Sequence, residues 1–176
     1  DIVVFETDHR ADTVGYALAE HVRLGRFNPE RAAELGVPEG PLWGRLHKGE
    51  TVTLDDGRTV APADLVGAPR RGRTLVYSGD TRPSLAVMEA ARGADLLVHE
   101  ATFGGDEAER ARETGHSTAA EAARVAADAG VRRLALTHIS PRYTREAQEL
   151  LAEAQAVFPE TVIARDGMTI EVPFVE

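Results

Sequence analysis

From residue 74 onward the chain alternates short apolar runs with longer stretches that carry helix start and stop signals. The apolar runs, each predicted to be a strand, lie at 74–78, 96–99, 134–137, 162–164 and 169–172. Between them, helices are predicted at 83–91, from a Ser117 cap to Gly130, and at 144–158. Strands that alternate with helices predict an α/β layered fold, because the apolar faces of both must be buried against each other.

The first 72 residues follow a different pattern. Strands are predicted at 2–5 and 14–18, on either side of a polar loop that carries His9, and a short helix is predicted at 29–35. Segment 37–49 is dense in Gly and Pro and is predicted to be a projecting loop with exposed Leu42 and Trp43. A small hairpin is predicted at 51–60, since Asp56-Gly57 supplies the positive φ of a tight turn.

Composition narrows the class of protein. The 176 residues include no Cys, so any metal site must be built from His and carboxylates. The net charge of −9 opposes generic nucleic-acid binding, which needs a basic surface. The acidic surface, with Lys48 as its single lysine, resembles that of salt-adapted proteins, where the Debye length falls to roughly 3 Å and distant acids repel RNA little.

Length and hydropathy set the domain count and the location. A chain of 176 residues, 43% of them hydrophobic, is long enough to form one domain with a core. It has no apolar run of the roughly 20 residues that a membrane helix needs and no signal pattern, which predicts a soluble, cytoplasmic protein without a membrane partner. The sequence starts at Asp1 and enters a strand at once, which we interpret as a partial sequence.

Metal-capable or acid–base side chains follow three of the predicted strands. Asp80 comes just after run 74–78, His99 and Glu100 follow the apolar residues of run 96–99, and His138 follows run 134–137. Ligands gather at strand ends in layered α/β folds, because a rigid sheet directs distant residues into one crevice. A set of His and carboxylate side chains there suits Zn²⁺ or Mn²⁺ that activates water for hydrolysis.

Each of these residues also has an ordinary structural interpretation. Asp80 fits a turn or a helix cap, and His99 fits a core histidine with satisfied nitrogens. His138 fits a loop residue with a hydrogen-bonding role, and His116 fits the approach to a capped helix. The residues by themselves therefore leave both a metallohydrolase site and a set of structural residues open.

Five motifs favour the first interpretation. In chain order they are Thr7-Asp-His-Arg with the following Val14-Gly-Tyr-Ala, Ser78-Gly-Asp-Thr-Arg-Pro, Val98-His-Glu-Ala-Thr-Phe, Gly115-His-Ser-Thr-Ala and Leu136-Thr-His-Ile-Ser-Pro-Arg-Tyr. This series resembles the ribonuclease Z family, the tRNA 3′-processing endonucleases of the metallo-β-lactamase superfamily. Segment 36–49, with Gly40-Pro41-Leu42, resembles the family's exosite arm, which grips the tRNA body.

The resemblance implies a fold and an activity. The fold is the C-terminal half of a metallo-β-lactamase αβ/βα sandwich, in which residues 1–176 form a partial domain and residues 21–72 an inserted tRNA-binding exosite arm and hairpin. The implied activity is removal of the 3′ trailer from precursor tRNA by water attack on a phosphodiester. The implied cofactor is two zinc ions per complete site, with Mn²⁺ as an alternative, and the implied assembly is a homodimer.

The resemblance also implies roles at the site. His9, Asp80 and His138 become metal ligands, and Asp80 bridges the two ions. Glu100 and His116 become a pair in which the carboxylate orients the imidazole and the imidazole protonates the leaving 3′ oxygen. The family's His-x-His-x-Asp-His signature is absent from the sequence, so the chain alone is expected to hold zinc weakly or not at all and to be inactive.

The RNA contacts are predicted on two segments. Arg142 suits a phosphate contact because its planar fork matches phosphate oxygens. On the arm, Arg45 and Lys48 are predicted to contact the tRNA backbone, and Trp43 either joins them or anchors the arm's own core. Two other functions stay open: a hydrolase of small phosphodiesters or sulfate esters from the same superfamily, and a non-catalytic tRNA-binding fragment.

Overall fold

The computed structural model describes residues 1–143 and 147–175. The strands in these ranges are β1 (Ile2–Glu6), β2 (Val14–Ala19), β3 (Val52–Thr53), β4 (Thr59–Val60), β5 (Thr74–Tyr77), β6 (Leu96–Glu100), β7 (Leu134–Thr137) and β8 (Thr161–Ile163). The α-helices are α1 (Pro29–Glu34), α2 (Pro41–His47), α3 (Leu85–Ala90), α4 (Ala108–Thr114), α5 (Ala119–Ala129) and α6 (Gln148–Val157). None of these helices is both long enough and apolar enough to span a bilayer.

The contacts between residues divide the chain into two compact units. The first unit consists of residues 1–20 and 73–174, and the second of residues 21–72 with Val175. The first unit holds a mixed sheet with the strand order β1-β2-β5-β6-β7-β8. The pairs from β1 to β5 are antiparallel and the pairs from β5 to β8 are parallel. Because β5, β6 and β7 run in the same direction, the segments that follow them meet at one edge of the sheet.

The core of the first unit lies between the parallel strands and the helices α3, α5 and α6. Helix α5 buries six small residues, five of them Ala, so it packs closely against the sheet. Its N-cap is Thr118 rather than the predicted Ser117: the Thr118 side chain accepts from Glu121 N at 3.2 Å, and Glu121 caps Thr118 N in return. Gly130 ends the helix at a φ of 66°, as predicted.

The second unit has its own small core, which includes Ala32, Leu46 and the hairpin residues Val52 and Val60. The predicted hairpin is confirmed as β3 and β4, and the predicted helix as α1, whose Asn28 cap accepts from Arg31 N at 2.9 Å. The prediction of a loop over 37–49 is wrong, because α2 lies within it. This helix begins at Pro41, and its Leu46 side chain is completely buried.

Three other predictions need correction. Helix α3 begins at Leu85 with Ser84 as its cap, because the Ser84 hydroxyl accepts from Val87 N at 3.3 Å. Segment 169–172 pairs with no described strand. Helix α6 begins at Gln148, and residues 144–146 of its predicted start lie outside the described residues.

Candidate active site

Four loops and the end of strand β6 in the first unit bring the predicted site residues together at the sheet edge where β5, β6 and β7 end. Asp80 follows β5, Glu100 ends β6 and His138 follows β7. His9 lies in the loop between β1 and β2, and His116 lies in the turn between α4 and α5. The parallel order of the three strands therefore gathers Asp80, Glu100 and His138, which are up to 58 positions apart in sequence.

The Glu100 carboxylate, 1% exposed, is the most constrained group of the site. Its Oε1 atom accepts from Thr81 N at 3.0 Å and lies 2.7 Å from His116 Nδ1. Its Oε2 atom accepts from Thr102 N at 3.1 Å, Thr102 Oγ1 at 2.8 Å and Ser117 N at 3.1 Å. Several donors from three segments therefore hold the carboxylate in one orientation.

The His116 ring lies between two other imidazoles. Its centroid is 4.8 Å from that of His9 and 5.2 Å from that of His138, and the His138 ring stacks on it with 25° between the planes. Because His116 Nδ1 is directed to the Glu100 carboxylate, Nδ1 carries a proton and Nε2 is the atom left for chemistry. This is the arrangement of a general acid or base with its orienting carboxylate.

The other two histidines are held in the form that binds metals. His9 Nδ1 lies 2.7 Å from the carbonyl oxygen of Gly115, which can only accept, so Nδ1 donates and Nε2 keeps its lone pair. The Thr102 hydroxyl donates to Glu100 and therefore accepts from His138 Nδ1 at 2.8 Å. His138 Nε2 is thus also left with a lone pair, and it lies 3.6 Å from Asp80 Oδ1.

The loop that carries Asp80 is bound to a neighbouring loop, and the loop that carries His138 has an unusual backbone conformation. The Asp80 carbonyl accepts from the hydroxyls of Thr7 at 3.0 Å and Thr13 at 3.2 Å, which ties this loop to the loop of His9. His138 has a φ of 56°, a region that L-residues other than Gly rarely occupy. Strained residues of this kind cluster at functional sites because the surroundings must enforce them.

Two clusters among the described residues have ligand atoms within 4.8 Å of one another: His9 with Asp80 and His116, and Glu100 with His116 and His138. In the second cluster the Glu100 carboxylate is already engaged, since it accepts from His116 Nδ1 and from four other donors. In the first cluster, Asp80 Oδ1 also lies 3.6 Å from His138 Nε2, so His9, His138 and Asp80 form a candidate donor set in which both Nε2 atoms keep their lone pairs. Two imidazoles and a carboxylate fit Zn²⁺ or Mn²⁺.

His99 belongs to the core rather than to this donor set. Its side chain is fully buried, and its Nδ1 atom lies 2.7 Å from the Glu100 carbonyl oxygen. Its Nε2 atom has no hydrogen-bond partner within the described parts of the chain. Burial lowers the pKa of His99 below its ordinary value, because charging a ring without water is costly.

Three of the four predicted RNA-binding side chains are engaged or half-buried. Arg142 lies 2.8 Å from Glu107 Oε1, and Arg45 lies 2.8 Å from Glu50 Oε2. Trp43 is half-buried rather than exposed; it packs on the core of the second unit and donates to the Val37 carbonyl at 3.2 Å. Lys48 is exposed at the C-cap of α2.

Sequence reasoning assigned no role to Thr102 or to Arg82. Thr102 links Glu100 to His138, and Arg82 links the turn of His116 to Glu121. One signal for Thr102 was present, since a hydroxyl two positions after Glu100 at a strand end points to the same side. Arg82 gave no such signal, because its partners lie 34 and 39 positions away.

Comparisons with known proteins agree with this fold. Residues 45–139 match the family described as beta-lactamase superfamily domain, so the chain belongs to the β-lactamase superfamily. Among curated proteins, it is similar to the ribonuclease Z of Gemmatimonas aurantiaca, with 57% identity over 99% of this chain and 56% of the relative. The ribonuclease Z of Haloferax volcanii is 56% identical over 100% of this chain and 56% of the relative. The resemblance to ribonuclease Z is thereby confirmed.

Solved structures confirm the predicted fold class. The metallo-β-lactamase fold protein YhfI from Bacillus subtilis matches with a TM-score of 0.59 and 21% identity, over 97% of this chain and 49% of its own. The short form of human tRNase Z matches with a TM-score of 0.56 and 22% identity, over 98% of this chain and 43% of its own. The chain spans about half the length of the curated relatives that it matches.

Proposed function

We propose that the chain is part of a zinc-dependent endoribonuclease that removes the 3′ trailer from precursor tRNA. The observation that carries this proposal is the Glu100–His116 pair, held at 2.7 Å beside the metal-competent nitrogens of His9 and His138. The similarity to relatives named ribonuclease Z supports a phosphodiester of RNA as the substrate. A cytoplasmic location is part of the proposal, as is a homodimer, which the resemblance implies.

The donor set for metal is His9 Nε2, His138 Nε2 and the Asp80 carboxylate. When bound there, Zn²⁺ or Mn²⁺ supplies a Lewis acid and lowers the pKa of a coordinated water. The His-x-His-x-Asp-His signature, which supplies further ligands in the ribonuclease Z family, does not occur in the sequence. We therefore propose that these 176 residues alone are inactive.

His116 is proposed to donate a proton to the leaving 3′ oxygen. Glu100 fixes the proton of His116 on Nδ1 when the ring is neutral and stabilises the imidazolium from which Nε2 gives its proton. An RNA 3′ oxygen is a poor leaving group, so it needs this proton. A nitrophenolate leaves without a proton. Comparing RNA with a nitrophenyl ester therefore separates proton donation by His116 from substrate binding and from water activation.

The second unit is proposed to be the tRNA-binding arm. Residues 21–72 include eight Lys and Arg and seven Asp and Glu, whereas the whole chain has a net charge of −9. The excess of acid therefore lies outside this range. Arg45 and Lys48 are proposed to contact the RNA backbone, since the exposed Arg45–Glu50 pair is worth little and can be exchanged for phosphate. Trp43 supports the arm's core, and Arg142 is proposed to contact a phosphate near the cleavage site.

The proposal is tested by comparing two substrates in the longest protein that the gene encodes. Precursor tRNA and bis(p-nitrophenyl) phosphate are both expected to be cleaved by the wild type. His116→Ala is expected to lower kcat on precursor tRNA by about 100-fold or more, in the range of general acid catalysis, and to change kcat on the aryl ester by less than about threefold. A wild type that cleaves only the aryl ester would instead indicate a hydrolase of small esters.

A further inference from the structure

The backbone of the turn that carries His116 is held by hydrogen bonds to neighbouring segments. His116 N donates to the Ala111 carbonyl at 2.8 Å, and Ser117 N donates to Glu100 at 3.1 Å. The His116 carbonyl accepts from Arg82 Nη1 at 2.5 Å. The Arg82 side chain therefore binds the peptide group between His116 and Ser117.

Arg82 reaches this carbonyl while both of its terminal nitrogens bind Glu121. The Nη1 atom lies 2.8 Å from Glu121 Oε2, and the Nη2 atom lies 2.5 Å from Oε1. Both side chains are shielded from water, with 18% of Arg82 and 29% of Glu121 exposed. A two-point pair of this kind fixes the plane of the guanidinium, so the contact to the His116 carbonyl is held in a defined place.

The two ends of this bridge are anchored independently. Glu121 accepts from Thr118 N at 2.9 Å and so belongs to the first turn of α5. Burial raises the pKa of Glu121, but the bonds from Arg82 and Thr118 outweigh it, and the net direction is downward. At the other end, Arg82 N donates to the Asp8 carbonyl at 2.6 Å, next to His9, and Arg82 lies two positions after Asp80.

We infer that Arg82 is a positioning residue that acts through His116. By tying the His116 carbonyl to Glu121 and to the loop of Asp80, it sets the His116 ring against Glu100 and relative to the donor set for metal. The inference rests on the proposed function, in which His116 protonates the leaving oxygen. Displacing a reacting group by about 1 Å can lower the rate about 100-fold, so loss of the Arg82 contacts is expected to lower kcat.

The test uses Arg82→Met in the longest protein that the gene encodes, with precursor tRNA and bis(p-nitrophenyl) phosphate. The kcat on precursor tRNA is expected to fall about 10- to 100-fold with KM nearly unchanged, and kcat on the aryl ester is expected to change by less than about threefold. In a His116→Ala background, Arg82→Met is expected to have no further effect on kcat, because both changes remove the same step.

A matched control separates positioning from stability. Arg132→Met removes an ion pair of the same unit, in which Arg132 Nη1 lies 3.3 Å from the buried Asp95 carboxylate. It is expected to lower the melting temperature and to leave both kcat values unchanged. If Arg82→Met does not fold, the same cycle is run with Arg82→Lys, which keeps the charge beside Glu121 but offers one nitrogen in place of two.

A second readout does not depend on activity. The proton on His116 Nδ1, bonded to Glu100, is expected to give a protected downfield NMR signal in the wild type and in Arg132→Met. That signal is expected to broaden or vanish in the Arg82 variant. Equal losses on both substrates, or a full-sized loss in the His116→Ala background, would overturn the inference. A wild type that fails to cleave RNA would overturn the proposed function. The NMR signal of His116 would then still test whether Arg82 positions the ring.

Discussion

At the scale of single residues, the site depends on a carbonyl, a hydroxyl and a carboxylate, each of which selects one tautomer of a histidine. The Gly115 carbonyl orients His9, the Thr102 hydroxyl orients His138, and the Glu100 carboxylate orients His116. In each case Nδ1 is engaged, so each Nε2 is available to a metal or to substrate. The sequence identified the three histidines, but it did not identify Gly115 and Thr102, whose hydrogen bonds form only in the folded chain.

His99 predicts a pH-dependent stability. Its pKa is lowered below the ordinary value of 6.5 by burial, while its bond to the Glu100 carbonyl and the charges of Glu100 and Glu121 act in the opposite direction. The unfolded chain therefore binds a proton more readily than the folded chain does, and the free energy of unfolding falls as the pH drops below about 6.5. Urea unfolding at about pH 7.5 and about pH 5.5 measures this fall.

The fall in the free energy of unfolding at acid pH is expected to be smaller in His99→Gln than in the wild type. His21→Gln, a change at an exposed position, serves as the control and is expected to keep the wild-type fall. An undiminished fall in His99→Gln would assign the acid sensitivity to other groups.

At the scale of elements, apolar runs in the sequence located the strands of the sheet well. The predicted runs at 74–78, 96–99 and 134–137 correspond to β5, β6 and β7 within one residue at each end. Helix α2 was missed because four Gly and two Pro in 36–49 obscure the pair Leu42 and Leu46, which lie four positions apart on its buried side. Segment 169–172 has the composition of a strand, but no described strand pairs with it.

Arg45 and Lys48 lie at the C-terminal end of α2, in the second unit. Replacing Arg45 and Lys48 with Ala is expected to weaken precursor tRNA binding about tenfold and to flatten its dependence on salt, because fewer phosphates are neutralised. Hydrolysis of bis(p-nitrophenyl) phosphate is expected to be unchanged. Filter binding across a range of salt concentrations measures the first effect and a colorimetric assay the second.

A second double variant controls for net charge. Arg31 and Arg58 form exposed ion pairs with Glu34 and Asp56 in the same unit, and replacing both with Ala removes the same two charges. This variant is expected to bind precursor tRNA as the wild type does. Equal weakening in both double variants would mean that the unit's overall charge, and not the two positions on α2, determines RNA binding.

At the scale of the whole molecule, the strand order explains why scattered motifs form one site. Three parallel neighbours end at one edge, and the loop of His9 and the turn of His116 reach the same edge. The motif order in the sequence was enough to predict the superfamily, which the family match confirms.

The most direct test of the account compares the 176-residue chain with the longest protein that the gene encodes. Metal content by mass spectrometry and 3′ cleavage of precursor tRNA are measured on both. About two zinc ions per chain and correct 3′ cleavage are expected in the longer protein, and neither in the 176 residues alone, because the proposed ligands His9, Asp80 and His138 are too few to hold two metal ions. A longer protein that binds no metal and leaves precursor tRNA uncut would contradict the account.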